Sequence, residues 1–383
     1  MSTDLIDSRG LMSKPVPTNI LYVAHDTGLI GGAERQLLEL FRGMDRSLFG
    51  PRLVCLEEGG PVAERAAESK VPVHHVTRKW RWDLSVATRI RSIIRQNSIR
   101  IVHAYLGLPG FYGAVAGKVA GAKVITTIRI AGPRRRVSDI SERFAFLISD
   151  RIISNSKAGA EFYFRRFPGK SKTEIIYNGY DVSDFDPAKT RSRADLGLPE
   201  QDLLIGHVAN LTYLKDYPAF LKALAVVFRR VAGSRAVIVG DGAKRAEYES
   251  LAGSLGIWDR THFLGHRRDA LDLVGNFDVC VLASHSAFSE GLSNSIAEYM
   301  GFARPVVATD VGGNRELVTD GVTGFLSPAG DAEALAEKII TLLENEDLRK
   351  TMGQRGRDFF EANLTLERMV SETQRVYRQL VLR

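Results

Sequence analysis

The sequence predicts two α/β domains, each built on a doubly wound parallel sheet. Three observations carry this prediction. Short β-branched apolar runs alternate with helical patterns along most of the 383 residues. The alternation breaks once, over residues 178–200, and then starts again. The length itself corresponds to two or three domains at about 150 residues each. Apolar residues are 44% and charged residues 25% of the chain, a globular balance that excludes a disordered or fibrous class. No apolar run reaches the roughly 18 residues of a membrane-crossing helix.

The first series opens with Ile20-Leu21-Tyr22-Val23-Ala24, whose apolar continuity suits a strand buried on both faces. A helical pattern follows from Ala33 to about Gly43. Further strands are expected at Arg52–Leu56, Val73–Val76, Ile101–Ala104, Val124–Ile128, Arg151–Ser154 and Glu174–Tyr177. Helical periodicity fills the gaps at 61–69, 84–97, 110–120, 139–148 and 157–166. The break carries Gly179, Asp181, Asp184, Asp186, Pro187, Gly197 and Pro199, the residues of turns, with one short helix around Ser192–Leu196. Strands of the second series are expected at Leu203–Val208, Ala236–Val239, Thr261–Leu264, Val279–Leu282, Pro305–Ala308 and Gly324–Leu326. Its helices fall at 216–231, 243–255, 268–275, 294–301, 331–345 and 347–361. The last segment, Leu364–Leu382, places Leu366, Met369, Val370, Val376, Leu380 and Val381 at helical spacing, and no strand follows. The expected division is a polar tail at 1–17, a first domain at 18–182, a linker at 183–200, a second domain at 201–363 and a terminal helix at 364–383. The tail lacks the apolar core of a signal peptide. Cys55 and Cys280 sit in apolar runs and read as small buried hydrophobes, not as a disulfide or zinc site.

Charge is unevenly divided. Residues 1–198 hold 31 Lys/Arg and 20 Asp/Glu, a net of +11; the remainder holds 21 and 25, a net of -4. Ten basic residues and no acidic one lie between Asp83 and Asp139. Such a field suits an acidic partner of the first half: nucleic acid, anionic membrane or phosphorylated substrate. No nucleic-acid recognition motif accompanies it, so nucleic acid is not the expected partner. Arg78-Lys79-Trp80-Arg81-Trp82 mixes cations with aromatics, as interfacial segments do. With Arg89, Arg91, Arg95 and the Arg134-Arg135-Arg136 loop, it points to an anionic membrane surface or a phosphate-linked lipid acceptor.

In doubly wound sheets, ligands bind beyond the carboxyl ends of the strands. After the first strand, Gly31-Gly32-Ala33-Glu34 opens a helix; the glycines suit either an anion cradle or a tight turn. Neither a dinucleotide fingerprint nor a P-loop is present, since Arg245 occupies the third glycine position after Gly240-Asp241-Gly242. The most informative segment is Phe288-Ser289-Glu290-Gly291-Leu292-Ser293-Asn294-Ser295-Ile296-Ala297-Glu298. Eight helical residues rise about 12 Å, comparable to the span from a sugar to a ribose across a diphosphate. Two carboxylates flanking a helix N-terminus suit a ligand with hydroxyls at both ends and negative charge between. Lys215 stands at a strand-to-helix turn, where it can neutralise phosphate.

Together these residues resemble the family 4 retaining glycosyltransferases (glycosyl transferases group 1), whose fold is GT-B. The matching pieces are Gly31-Gly32-Ala33-Glu34, Asn178-Gly179-Tyr180-Asp181, the turn from Leu211 to Lys215, Phe263-Leu264-Gly265, the Glu290–Glu298 pair and residues 305–313. They occur in the family's order over about residues 18–365. The resemblance implies two Rossmann-like domains facing a cleft, a nucleotide-sugar donor on the second and an acceptor on the first. Carried over by position, Glu298 binds the ribose. Glu290 and the amides of Gly291, Leu292 and Ser293 hold sugar hydroxyls and diphosphate. Lys215 stabilises the diphosphate, Gly31 and Gly32 approach it from the opposite domain, and the turn Gly265-His266-Arg267 meets the nucleobase.

Two positions depart from the family's pattern. Asn210 stands where many members carry an arginine, and Arg129 where many carry a histidine near the reacting sugar. Arg129 is a permanent cation and stabilises phosphate instead of acting as a base. His103 then has two readings, an acceptor contact or a buried, satisfied histidine; Tyr105 and Arg134 complete the acceptor candidates. No metal or other cofactor is expected, because a lysine and helix amides supply fixed electrostatics for the departing diphosphate; the lone Asp-x-Asp, Asp184-Phe185-Asp186, reads as a turn. The expected protein is a metal-independent retaining transferase using a UDP- or GDP-sugar and a lipid-linked or glycan acceptor. Its expected location is cytoplasmic, peripheral on the inner face of the cytoplasmic membrane. The alternatives are an epimerase of the same fold or a non-catalytic membrane or nucleic-acid binder.

Overall fold

The computed structural model describes residues 16–26, 31–80, 83–105, 107–129, 136–165, 169–286 and 290–382. The chain opens with β1 (Thr18–Ala24), α1 (Gly32–Gly43), β2 (Phe49–Cys55), α2 (Pro61–Glu68), β3 (Val73–His75) and α3 (Ser85–Gln96). It continues through β4 (Ile101–Ala104), α4 (Leu108–Ala120), β5 (Lys123–Ile128), α5 (Arg136–Ile148), β6 (Arg151–Ser154), α6 (Lys157–Phe164) and β7 (Thr173–Ile175). These seven strands form one sheet in the order β3-β2-β1-β4-β5-β6-β7, every pair parallel. The order reverses direction between β1 and β4, which opens a crevice at their carboxyl ends. Right-handed crossovers place α1 and α2 on one face of the sheet and α3, α4, α5 and α6 on the other.

A stretch of 3-10 turns and the short helix α7 (Arg193–Leu196) leads to the second domain. Ser192 and Asp195 form a reciprocal capping box on α7, and Gly197 ends it in the left-handed conformation at φ 69°. The expected helix around Ser192–Leu196 is therefore present, and its signal was entirely local. Asp186 of the Asp-x-Asp caps a 3-10 turn by accepting the Ala188 amide at 3.0 Å, while Phe185 beside it is buried.

The second domain comprises β8 (Leu203–Val208), α8 (Tyr217–Arg230), β9 (Ser234–Val239), α9 (Arg245–Ser254), β10 (Thr261–Phe263), α10 (Ala270–Val274) and β11 (Val279–Leu282). It is completed by α11 (Asn294–Gly301), β12 (Val306–Thr309), α12 (Asn314–Leu317), β13 (Gly324–Ser327), α13 (Ala332–Glu344) and α14 (Glu346–Asn363). Its six strands pair in parallel in the order β10-β9-β8-β11-β12-β13, again reversing at the first strand. Cys55 and Cys280 are free and buried within strands. Among the described residues no helix is long and apolar enough to cross a membrane.

The chain then returns to the first domain. Helix α15 (Leu366–Val381) buries Leu366, Met369, Val370, Val376, Tyr377 and Leu380 against the core formed by β1, β2 and α1. The Tyr377 hydroxyl lies 2.7 Å from both Tyr22 Oη and His103 Nδ1. Where the chain leaves the first domain it pairs with itself where it comes back: the Tyr180 amide donates to Leu364 O at 2.9 Å and the Leu366 amide to Tyr180 O at 2.8 Å. Gly179 allows this crossing, since a Cβ there would lie 3.0 Å from the Thr365 carbonyl oxygen.

Candidate active site

The two crevices face each other across a cleft of about 710 Å³. Its walls come from residues just past β1, β4, β5 and β6 on one side and β8, β9, β10 and β11 on the other. A parallel sheet exposes backbone and loop groups at this end, so polar residues accumulate there while the strands stay apolar.

Lys215 follows β8 and forms an ion pair with Glu290, which follows β11. Ser284 Oγ donates to Glu290 Oε1 at 2.8 Å. Burial pushes the Glu290 carboxyl up, but Lys215 and the hydrogen bonds from Lys215 and Ser284 outweigh it and hold the group below the ordinary glutamate range. The loop after Glu290 is clamped from behind: Glu290 O accepts the Gly313 amide at 2.9 Å. A Cβ on Gly313 would stand 2.0 Å from Gly291 O, so the clamp requires glycine. Ser293 then caps α11, accepting the Ile296 amide. Leu292, Ser293, Asn294 and Ser295 line the cleft at the positive end of this helix. Gly291 itself packs against the Arg129 carbonyl of the other domain.

Glu298 lies one face further along α11 and is buried. Arg35, from the first turn of α1, reaches across and donates to Glu298 Oε1 at 2.5 Å. Burial pushes the Glu298 carboxyl up, and Arg35 offsets only part of that rise. Gly31 and Gly32 enter the cleft from the same turn; a Cβ on Gly32 would lie 2.5 Å from Asn294 Nδ2. Asn294 Oδ1 accepts from Asn178 Nδ2 at 2.8 Å and from Tyr180 Oη at 2.6 Å, while Glu316 of α12 accepts the Lys157 and Ala158 amides that open α6. Polar contacts thus join the two domains around the rim of the cleft.

The other sequence-predicted residues are distributed as follows. Asn210, His266 and Arg267 line the second-domain wall. Arg267 is engaged by Asp269 at 2.6 and 2.7 Å, so His266 and backbone groups are the freer contacts for a base. Gly265 does not line the cleft; it shapes the turn at φ 68°, with its carbonyl accepting the Gly240 amide at 2.8 Å. Arg129 lines the cleft, donates to Asn178 Oδ1 at 3.0 Å and stands 5.4 Å from the Tyr105 ring. Tyr105 also lines it. His103 does not. It is 1% exposed and sits behind the wall, bonded to Tyr377, with burial and then Arg129 pushing its pKa down to about 3. Of its two readings the geometry favours the buried one, though only Nδ1 is paired and the buried Nε2 has no hydrogen-bond partner, and it takes His103 out of the cleft wall. Arg134 lies outside the described residues.

Three cleft features escaped the sequence reading. One is Arg35, adjacent to the Gly31–Glu34 motif. A second is Asn155, which follows β6 and holds a buried, unpartnered Oδ1. The third is His25, whose Nδ1 lies 2.7 Å from Glu57 Oε1, while Glu57 Oε2 accepts the Asp26 amide at 2.9 Å. His25 and Glu57 each sit just past a strand, the positional signal that would have found both.

The Arg35–Glu298 pair makes a test of the domain contact. Arg35→Ala is expected to cost about 1–3 kcal/mol at neutral pH, the exposed fraction of Arg35 keeping it below the cost of breaking a fully buried pair. Because the Glu298 pKa is raised in the folded protein, protonation on acidification favours the fold. The deficit should therefore shrink as pH falls from 7 toward 5, read as the difference in melting temperature between variant and wild type. A pH-independent deficit would show that the charge on Glu298 is not its source.

Two facing doubly wound domains, with a Lys–Glu pair and a helix N-terminus on one wall and a glycine-rich turn on the other, define a GT-B glycosyltransferase. The family models agree: "Glycosyltransferase Family 4" matches residues 30–184 and "Glycosyl transferases group 1" matches residues 188–359. The chain belongs to the family 4 glycosyltransferases. It is 25% identical over 305 residues to N-acetyl-alpha-D-glucosaminyl L-malate synthase of Bacillus anthracis, covering 77% of this chain and 79% of the relative. It is 28% identical over 310 residues to D-inositol 3-phosphate glycosyltransferase of Salinispora arenicola, covering 73% and 69%. In fold it is similar to HepE of Anabaena, solved in complex with UDP and glucose, at a TM-score of 0.83 and 22% identity over 94% of this chain and 100% of that one.

Proposed function

We propose that this glycosyltransferase takes a hexose from a UDP- or GDP-sugar and transfers it with retention to a lipid-linked or glycan acceptor in polysaccharide or glycolipid biosynthesis. The observation that carries the reading is the placement of Lys215, Glu290 and the first turn of α11 on one wall, opposite Gly31 and Gly32. Breaking a sugar–phosphate bond leaves positive charge on the sugar and negative charge on the diphosphate. Lys215 and the helix N-terminus answer the second, and Glu290 holds sugar hydroxyls beside the first. Glu298, freed from Arg35, accepts hydrogen bonds from the ribose. The departing phosphate oxygen takes the acceptor's proton on the same face, which retains configuration. UDP is favoured over GDP by the UDP and glucose bound in the HepE neighbour. The reaction runs in the cytoplasm, at the inner face of the membrane, where nucleotide sugars and lipid-linked acceptors meet.

A thermal-shift screen tests the donor directly, because a ligand at one hundred times its Kd adds about 2.7 kcal/mol of stability. One of UDP, GDP or their sugars is expected to raise the melting temperature, and Glu298→Ala to weaken that rise. No shift with any of them would remove the donor-site assignment. Turnover is expected to survive EDTA unchanged. Loss in EDTA with recovery in magnesium would overturn the metal-independent reading. Release of free nucleotide together with a glycosylated product separates transfer from epimerisation.

A further inference from the structure

Helix α5 faces the wrong way for a water-facing helix. Its inward positions carry Ser141, Glu142, Ala145 and Phe146, with Tyr163 Oη donating to Glu142 Oε2 at 3.2 Å. Its outward face carries Ile140, Phe144 and Leu147, which are 69%, 45% and 60% exposed. Spacings of four and three residues set these side chains in one stripe. Other large apolar side chains are exposed on or beside the neighbouring helices. Val119 at the end of α4 is 59% exposed, Leu84 just before α3 is 69% exposed, and Trp80 ahead of it is 62% exposed. Crossover handedness puts α3, α4 and α5 on the same side of the first sheet, away from α15.

On α3, α4 and α5 the exposed charged residues among those described are basic, while Glu161 is an exposed carboxylate on the next helix, α6. Arg95, Lys123 and Arg143 are exposed. The described carboxylates on α3 to α5 and at their ends are withdrawn: Asp83 and Glu142 are buried and Asp150 is held by Lys118 at 2.7 Å. Large apolar side chains among cations, with the described carboxylates of α3 to α5 withdrawn, match an anionic lipid surface. A second copy of the same basic face is a poor match, because like charges would be brought together.

We propose that the outer face of α5 docks on an anionic bilayer, with Ile140, Phe144 and Leu147 entering the headgroup–acyl boundary and the basic residues of α3 to α5 meeting phosphate headgroups. The assignment deepens the membrane-linked reading above by naming the surface. Because α5 follows β5, whose carboxyl end presents Arg129 to the cleft, its first turn lies on the cleft side of the domain. A bilayer on this face brings a lipid-linked acceptor alongside the acceptor wall.

Co-sedimentation with vesicles of equal parts phosphatidylglycerol and phosphatidylcholine, against pure phosphatidylcholine, tests it on the full chain. The protein is expected to pellet with the anionic vesicles and not the neutral ones, and to be released at high salt. The variant I140D/F144D/L147D is expected to lose at least tenfold in vesicle affinity while keeping the wild-type melting temperature and the shift produced by a nucleotide sugar. A second variant, K123E with R95E, should weaken binding and flatten its salt dependence. Equal binding by the triple variant, no binding by the wild type, or a concentration-dependent dimer abolished by the triple substitution would each overturn the proposal. Donor-induced stabilisation is read separately, so failure here leaves the donor site standing, and failure there leaves the membrane surface standing.

Discussion

Lys215→Ala is expected to lower turnover by roughly two to three orders of magnitude, the effect of deleting one preorganised electrostatic contact to a developing negative charge. The loss should fall mainly on kcat, because the lysine matters most when the diphosphate leaves. The same change strands Glu290. That carboxyl is held below its ordinary range by burial set against the stronger pull of Lys215. A depressed carboxyl contributes stability above its unfolded pKa of about 4.3 and loses it as pH falls through the folded value. The variant should thus be less stable by about 1–3 kcal/mol at pH 7, with the gap closing below about pH 4. Lys215→Arg keeps the charge but replaces a compact ammonium by a planar fork, so it should recover the stability more fully than the rate. Steady-state kinetics with denaturant melts at two pH values separate the contributions. Wild-type kcat in the alanine variant would remove Lys215 from the chemistry.

Tyr377→Ala is the largest expected stability effect. The ring is fully buried, packs edge-on to Phe49 with centroids 5.6 Å apart, and its hydroxyl serves Tyr22 and His103. Truncating such an aromatic costs about 3–5 kcal/mol. Tyr377→Phe keeps the volume and leaves two buried polar atoms short of a partner, a smaller loss of about 1–3 kcal/mol. The loss should be confined to the first domain. Chemical denaturation should then split into two transitions, with the one sensitive to nucleotide sugar unmoved. A single transition shifted as a whole would mean that the domains unfold as one unit.

Much of the fold was legible because its signals are local. Apolar continuity marked the strands, and the Ser192 and Asp195 cap marked α7. The Glu290–Glu298 spacing could be read because both residues flank or ride one helix. Long-range partners could not be read. Glu298 meets Arg35 from 263 positions away, and His103 is settled by Tyr377 from 274 positions away. No local pattern encodes either distance. Helix α5 shows a different limit. Periodicity announced a helix at 139–148, one that begins at Arg136 in the structure. Which of its faces turns inward was decided by the shape of the sheet beneath it and by Tyr163, which gives Glu142 a partner indoors.

The doubled crossing at Tyr180 carries a mechanical consequence. The two domains are joined by two lengths of chain lying side by side, stitched by the Tyr180 bonds to Leu364 and Leu366. One tether would let the domains swivel about any axis. Two tethers pinned together act as the knuckle of a door hinge, leaving opening and closing as the easy motion and making twist costly. The jaws therefore meet in the same register at each closure, bringing Gly31 and Gly32 back over the same turn of α11. The arrangement is also redundant, since a protease that cuts one tether still leaves the halves leashed by the other.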